Sequence, residues 1–156
     1  MKELNEYRAN LLAQFEESAK AFRTACLAVK DLHAPLEENG WNAHQLAVHT
    51  RDVDELVYGM RIRSTAAEDD PEFSNFDGEA FMAQNYDAAE PLQAVLDSLA
   101  ENVENLVALL RTLPAGAWSR TSRHSKLGSG ITLQSWVEKD LAHIREHLAS
   151  LRKATS

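Results

Sequence analysis

Apolar residues recur along this chain at spacings of three, four and seven, the pattern of helices that bury one face. In residues 3–33, Leu4, Tyr7, Leu11, Phe15, Phe22, Val29 and Leu32 share a stripe, with charged residues between them. No glycine or proline interrupts this stretch before Pro35, so the pattern predicts one long helix closed there. Residues 35–41, PLEENGW, read as a turn. Asn42 followed by Gln45 has the spacing of a capping box and opens a second helix running to about residue 64. On it Leu46, Val53, Leu56, Val57 and Met60 fill one arc, His49 lies inside that arc, and His44 lies on the far side.

Residues 65–76 break the periodicity with an acidic cluster around Pro71, which predicts a solvated loop. A short helix is expected over 77–86, with Phe73, Phe76, Phe81 and Tyr86 as cover for the core. A third helix follows over 91–113, with Pro91 in its first turn and a stripe from Leu92 to Leu110; Pro114 and Gly116 end it. Residues 118–131 form a polar connection holding Arg120, Arg123, His124 and Lys126, read either as a solvated loop or as a rim that receives an anionic substrate. Thr132 caps the last helix, 132–151, whose apolar arc is Leu133, Val137, Leu141, Ile144, Leu148 and Leu151. Trp136, Asp140, His143 and His147 fall at the edge of that arc. No strand signal of weight is present. These elements predict an all-α chain: one four-helix bundle domain over 1–156, with a long crossover between helices 2 and 3.

The composition narrows the function. A length of 156 residues suits one domain with a sizeable core. A net charge of -8 argues against nucleic acid as a partner, since phosphate binding needs a concentrated basic face. No apolar run approaches a membrane span, and the charged N-terminus lacks an apolar signal core, so no membrane is expected. The single cysteine, Cys26, rules out an internal disulfide and fits a reducing compartment, with the cytoplasm as the expected location. Within its helix Cys26 reads as a small apolar residue rather than a nucleophile.

The chemistry lies in the histidines. His143 and His147, four apart, stack one turn apart on one side of a helix. Taken singly, His49 reads as a core histidine satisfied by hydrogen bonds, and the His143/His147 pair as a core-rim histidine and a surface one. If the second and fourth helices are neighbours, His49 joins the pair and three imidazoles converge. Three neutral nitrogens make a three-ligand metal site with open positions for water or substrate, the pattern of a catalytic rather than a sealed site. Asp52 and Asp140 border the same faces and are candidates to orient an imidazole; a salt-bridged or surface carboxylate is the plainer reading of Asp140. Three imidazoles suit zinc, nickel, iron or copper without distinguishing them. A bundle that sequesters a small molecule or metal without chemistry is the alternative function, and a structural module with hydrogen-bonded histidines is a third.

Three segments carry a resemblance: GWNAHQLAVH at 40–49, GSGITLQSW at 128–136 and LAHIREH at 141–147. In this order they resemble the DinB/YfiT-like superfamily of metalloenzymes over nearly the whole chain. The resemblance implies an up-down-down-up bundle and a divalent transition metal held by His49, His143 and His147. It also implies a homodimer and a small-molecule substrate. The expected activity is that of a metal-dependent hydrolase or of a transferase that uses a low-molecular-weight thiol such as mycothiol, bacillithiol or glutathione. No particular substrate carries over.

Overall fold

The second helix starts where the sequence places it. Asn42 Oδ1 accepts the Gln45 N–H at 2.7 Å and Gln45 Oε1 accepts the Asn42 N–H at 2.9 Å, closing the capping box. The computed structural model describes residues 1–37 and 40–155. In chain order it contains α1 (Lys2–Leu27), α2 (Ala43–Val53), a π-helical turn (Asp54–Gly59), α3 (Met60–Ala67), β1 (Glu72–Phe73), α4 (Gly78–Asn85), α5 (Leu92–Thr112), a 3-10 turn (Ala115–Ser119), β2 (Thr121–His124), β3 (Gly128–Thr132) and α6 (Leu133–Thr155). The segment α2–π–α3 is continuous and forms the second long helix of a four-helix bundle.

Contacts at the helix ends fix the topology. Arg8, near the start of α1, bonds Gln134 at the start of α6 and Ala115 just past the end of α5. α1 and α6 therefore run the same way and α5 runs opposite. His44, at the start of α2, bonds Glu90 just before α5, so α2 and α5 also run the same way. The order is up-down-down-up, and the crossover makes it possible by carrying the chain from the end of α3 back to the start of α2. The core fills the centre with Phe15, Phe22, Leu96, Leu99, Leu106, Leu133, Trp136, Ile144 and Leu151, each 2% exposed or less. Each such side chain contributes roughly 1.5–3 kcal/mol by leaving water.

Four features differ from the pattern reading. First, α1 stops at Leu27, well before Pro35. Asp31 accepts the His33 N–H, Leu32 O accepts the His44 N–H, and Leu36 N–H bonds Trp41 O, so the backbone after α1 is satisfied by a turn and by the start of α2. Val29 and Leu32 still pack on the core, which is why the apolar spacing outlasts the helix.

Second, the π turn at 54–59 shifts the register of everything after it. Leu56 and Met60, expected inside, are 46% and 42% exposed, while Asp54 and Arg61 are turned into the interior. Gly59 permits the turn: a Cβ there would stand 2.6 Å from the Asp54 carbonyl oxygen.

Third, 118–131 is not a loop. β2 and β3 form an antiparallel hairpin, and β1 adds to β2 in parallel. The basic residues of this hairpin meet the acidic crossover. Arg120 bonds the Thr65 and Glu68 carbonyls and Asp69; Arg123 bonds Asp70 and Glu72. Trp136 Nε1 donates to Ser122 Oγ at 2.7 Å, anchoring the sheet to α6. Such short strands, paired through a few backbone bonds, leave little alternation to read in sequence. Fourth, His44 is buried rather than outward. The crossover covers its face, with Tyr86 Oη at 2.6 Å from Nδ1 and Glu90 O at 2.7 Å from Nε2.

Among the described residues no helix is long and apolar enough to cross a membrane.

Candidate metal centre

α2 and α6 pack side by side, and each turns a histidine face to the other. His49 comes from the second turn of α2; His143 and His147 come from consecutive turns of α6. Their Nε2 atoms converge. His143 Nε2 lies 3.2 Å from His49 Nε2 and 2.9 Å from His147 Nε2. One nitrogen from each ring lies within 4.8 Å of the others. The rings meet edge to face, with centroids 4.4–5.2 Å apart, so nitrogens rather than faces point to the common centre.

Burial and mutual proximity keep the rings neutral. Burial, then repulsion from His147, lowers His49 to about 4, against a smaller opposing effect of Glu146. Burial, then His147 and His49, lowers His143 to about 3. Burial lowers His147 to about 4. A proton is therefore not the positive charge that joins these nitrogens near neutral pH. Three neutral imidazoles cannot satisfy one another through a single shared point either, because each Nε2 is either a donor or an acceptor. A divalent cation accepts all three lone pairs at once. The donor set, three imidazole nitrogens with no thiolate, fits a borderline transition metal.

The surroundings position the triad. Trp41 covers His49, with ring centroids 4.8 Å apart. Gly78, the first residue of α4, lets that helix close on the same ring: a Cβ there would stand 3.1 Å from His49 Cε1. Tyr58 stands beside His143 at 5.8 Å between centroids. A cavity of about 300 Å³ lined by Leu36, Trp41, Leu46, Glu79, His147 and Ser150 opens against the triad.

The two candidate carboxylates are elsewhere. Asp52 is paired with Arg51 at 2.8 Å, and Arg51 also grips Glu90 with both terminal nitrogens, so Asp52 braces the crossover and makes no hydrogen bond to His49. Asp140 makes none to His143, whose Nδ1 is buried without an acceptor. It is not a surface carboxylate: it is 0% exposed and meets Asp54, which the π turn delivers from the second helix. Asn102 Nδ2 donates to Asp54 Oδ2. Burial, reinforced by the Asp54 charge, holds Asp140 well above the usual carboxylate range. Burial raises Asp54 as well, and both Asp140 oxygens are buried without a hydrogen-bond partner, so this pair favours the neutral acid on Asp140.

Sequence reasoning passed over Asp54 and Arg61 because both follow from the π turn, for which the only local signal is Gly59 in mid-helix. The sequence offers Trp41 only as the end of the 35–41 turn and as part of the 40–49 segment, and nothing in it singles out Tyr58. Arg120 and Arg123 of the hairpin are occupied by the crossover, and Cys26 is buried with its thiol pushed up to about 12, which does not favour a nucleophile.

In fold the chain is similar to YfiT from Bacillus subtilis, described as a probable metal-dependent hydrolase with an unusual four-helix bundle topology. The match has a TM-score of 0.87 at 23% identity and covers 96% of this chain and 86% of that one. No functionally curated protein matches the chain in sequence. The profile of the DinB superfamily matches residues 11–151, from the middle of α1 to the last turns of α6, and the chain belongs to that superfamily.

Proposed function

We propose that this chain is a metal-dependent enzyme acting on a small molecule, as a hydrolase or as a transferase that uses a low-molecular-weight thiol. A divalent transition metal, with zinc, nickel and iron all suited to the ligands, would be held by Nε2 of His49, His143 and His147. One observation carries the reading: three partly buried imidazoles, their pKa values lowered to about 4, 3 and 4, bring one nitrogen each within 4.8 Å of the others. The metal-dependent hydrolase description of YfiT supports it by analogy of fold.

When bound, the cation supplies Lewis acidity, polarising an electrophilic substrate and making a coordinated water or thiol more acidic. The chain's own residues supply the rest. The three depressed imidazole pKa values keep the ligand lone pairs free through neutral pH. Trp41 and the start of α4 shield His49 from bulk water. Leu36, Trp41 and Leu46 give the cavity an apolar wall that receives the body of a small substrate next to His147. No carboxylate hydrogen-bonds the triad among the described residues; Glu79 is the carboxylate that lines the same cavity as His147.

Elemental analysis of protein purified without an affinity tag tests the reading. We expect about one equivalent of a transition metal in the wild type and its loss in the His143→Ala/His147→Ala double variant. Absence of metal in the wild type after incubation with zinc, nickel and iron would overturn it.

A further inference from the structure

A second cavity, of about 470 Å³, opens between the π turn, α3 and the crossover. Leu56, Val57, Met60, Phe73 and Phe76 form its apolar wall, and Arg61 lines it from within. Leu56 and Met60 face this space because the π turn has rotated them out of the core.

Arg61 is only 5% exposed and its guanidinium has no carboxylate within ion-pairing distance among the described residues. It lies among three aromatic rings, 4.8 Å from the centroid of Trp136 and 5.9 Å from those of Tyr58 and Phe73. Nη2 donates to Ser74 O at 3.0 Å, while Nε is buried with no acceptor. The other buried arginine, Arg8, differs: its Nε bonds Gln134 and its Nη1 bonds Ala115 O. Aromatic faces offset part of the cost of burying a cation, but they accept no guanidinium hydrogen bond of normal strength. An unpaired buried charge that borders a cavity is a recognition group awaiting its counter-ion.

We infer that this cavity binds a small organic carboxylate, its apolar body against Leu56, Met60 and Phe76 and its carboxylate on the Arg61 guanidinium. The planar fork of arginine matches a planar carboxylate, and apolar walls favour a singly charged anion over a strongly hydrated phosphate. A volume of 470 Å³ is within the range of small-molecule sites. Two acidic residues also line the space, Glu68 and Glu72. Both are exposed to water, and Glu72 is engaged by Arg123 at 3.3 Å, so they bound the entrance rather than neutralise Arg61. This site goes beyond the metal reading and does not need it.

Isothermal titration of the full chain with sodium benzoate and sodium hexanoate tests the inference, with hexanol, hexylamine and inorganic phosphate as comparisons. The titrations are run on chelator-treated and on zinc-loaded protein. We expect both carboxylates to bind at one site in either state, more tightly than all three comparisons. Arg61→Gln should weaken them by roughly tenfold or more, the range of a charge-assisted hydrogen bond. Met60→Trp, at a 42% exposed position, fills the mouth without entering the core and should weaken them similarly. It decides the matter if Arg61→Gln fails to fold. Carboxylates that bind no better than hexanol or phosphate, or binding unchanged in Met60→Trp, would overturn the inference. Binding confined to zinc-loaded protein and lost in His143→Ala/His147→Ala would place the carboxylate on the metal instead, overturning the Arg61 site while leaving the metal reading intact.

Discussion

The neutral triad makes the metal-free protein acid-sensitive in a defined window. An unfolded histidine titrates near 6.5, whereas His49 and His147 are lowered to about 4 and His143 to about 3. Between those values the unfolded chain binds protons that the folded chain refuses, so stability falls as pH drops from about 6.5 towards 4. For one such group, going from pH 7.5 to pH 5 costs roughly 2 kcal/mol by linkage. The rings are partly open to solvent, which screens the effect to about 1 kcal/mol each, or about 3 kcal/mol for the set. Asp140 acts in the opposite sense. Its folded pKa lies above its unfolded one, so its contribution improves as pH falls through the same range. The assay must therefore be a difference. Urea unfolding of chelator-treated wild type and of His49→Asn/His143→Asn/His147→Asn is measured at both pH values, with Asp140 present in each. The wild type should lose about 3 kcal/mol more than the variant on acidification. Parallel profiles would show that the imidazoles are not held neutral by their burial, and the reasoning that excludes a proton from the triad would fail with them.

Other perturbations reach different parts of the molecule. Gly59→Ala should cost about 1–3 kcal/mol in urea unfolding, because its Cβ would stand 2.6 Å from the Asp54 carbonyl oxygen; an unchanged midpoint would show the turn relaxing freely. Trp136→Phe leaves the buried Ser122 hydroxyl without its donor and should cost about 1–3 kcal/mol, read by thermal or chemical unfolding. Trp41→Ala uncovers His49, so the His49 pKa in metal-free protein should move up from about 4 towards 6.5 in an NMR titration; no movement would mean that Trp41 does not shield the ring.

Much of the bundle was legible because its helices obey one rule over long stretches. Leu96, Leu99 and Leu106 on α5, and Leu133, Ile144 and Leu151 on α6, are buried where a 3.6-residue period puts them. The histidines could be placed for the same reason: His49, His143 and His147 precede any break in that period within their helices. What escaped was set by long-range pairing or by a change of period. The hairpin pairs locally, but its third strand comes from a crossover some fifty residues upstream in sequence, with Glu72 beside Arg123. His44 faces inward only because Tyr86 and Glu90 arrive to cover it. Leu56, Met60, Asp54 and Arg61 were misplaced or overlooked together, by a single widened turn that a periodic reading assumes is absent.

That widened turn makes the second helix two helices in one. Residues before Asp54 keep the phase that faces α6 with His49, and residues after Gly59 keep a second phase that faces it with Arg61. The turn absorbs one residue more than an α-helix would, so deleting a single residue within it, such as Leu56, would leave an uninterrupted α-helix with the downstream half in its present phase. Straightening the turn with its length unchanged would instead rotate that half by about 100°, turning Met60 back towards the core and Arg61 away from Trp136, while the histidine end stayed as it is. The two halves are therefore separable in sequence change: the chain can alter the residues of one cavity without disturbing the phase of the other, as long as the extra residue and the widened turn are kept or lost together.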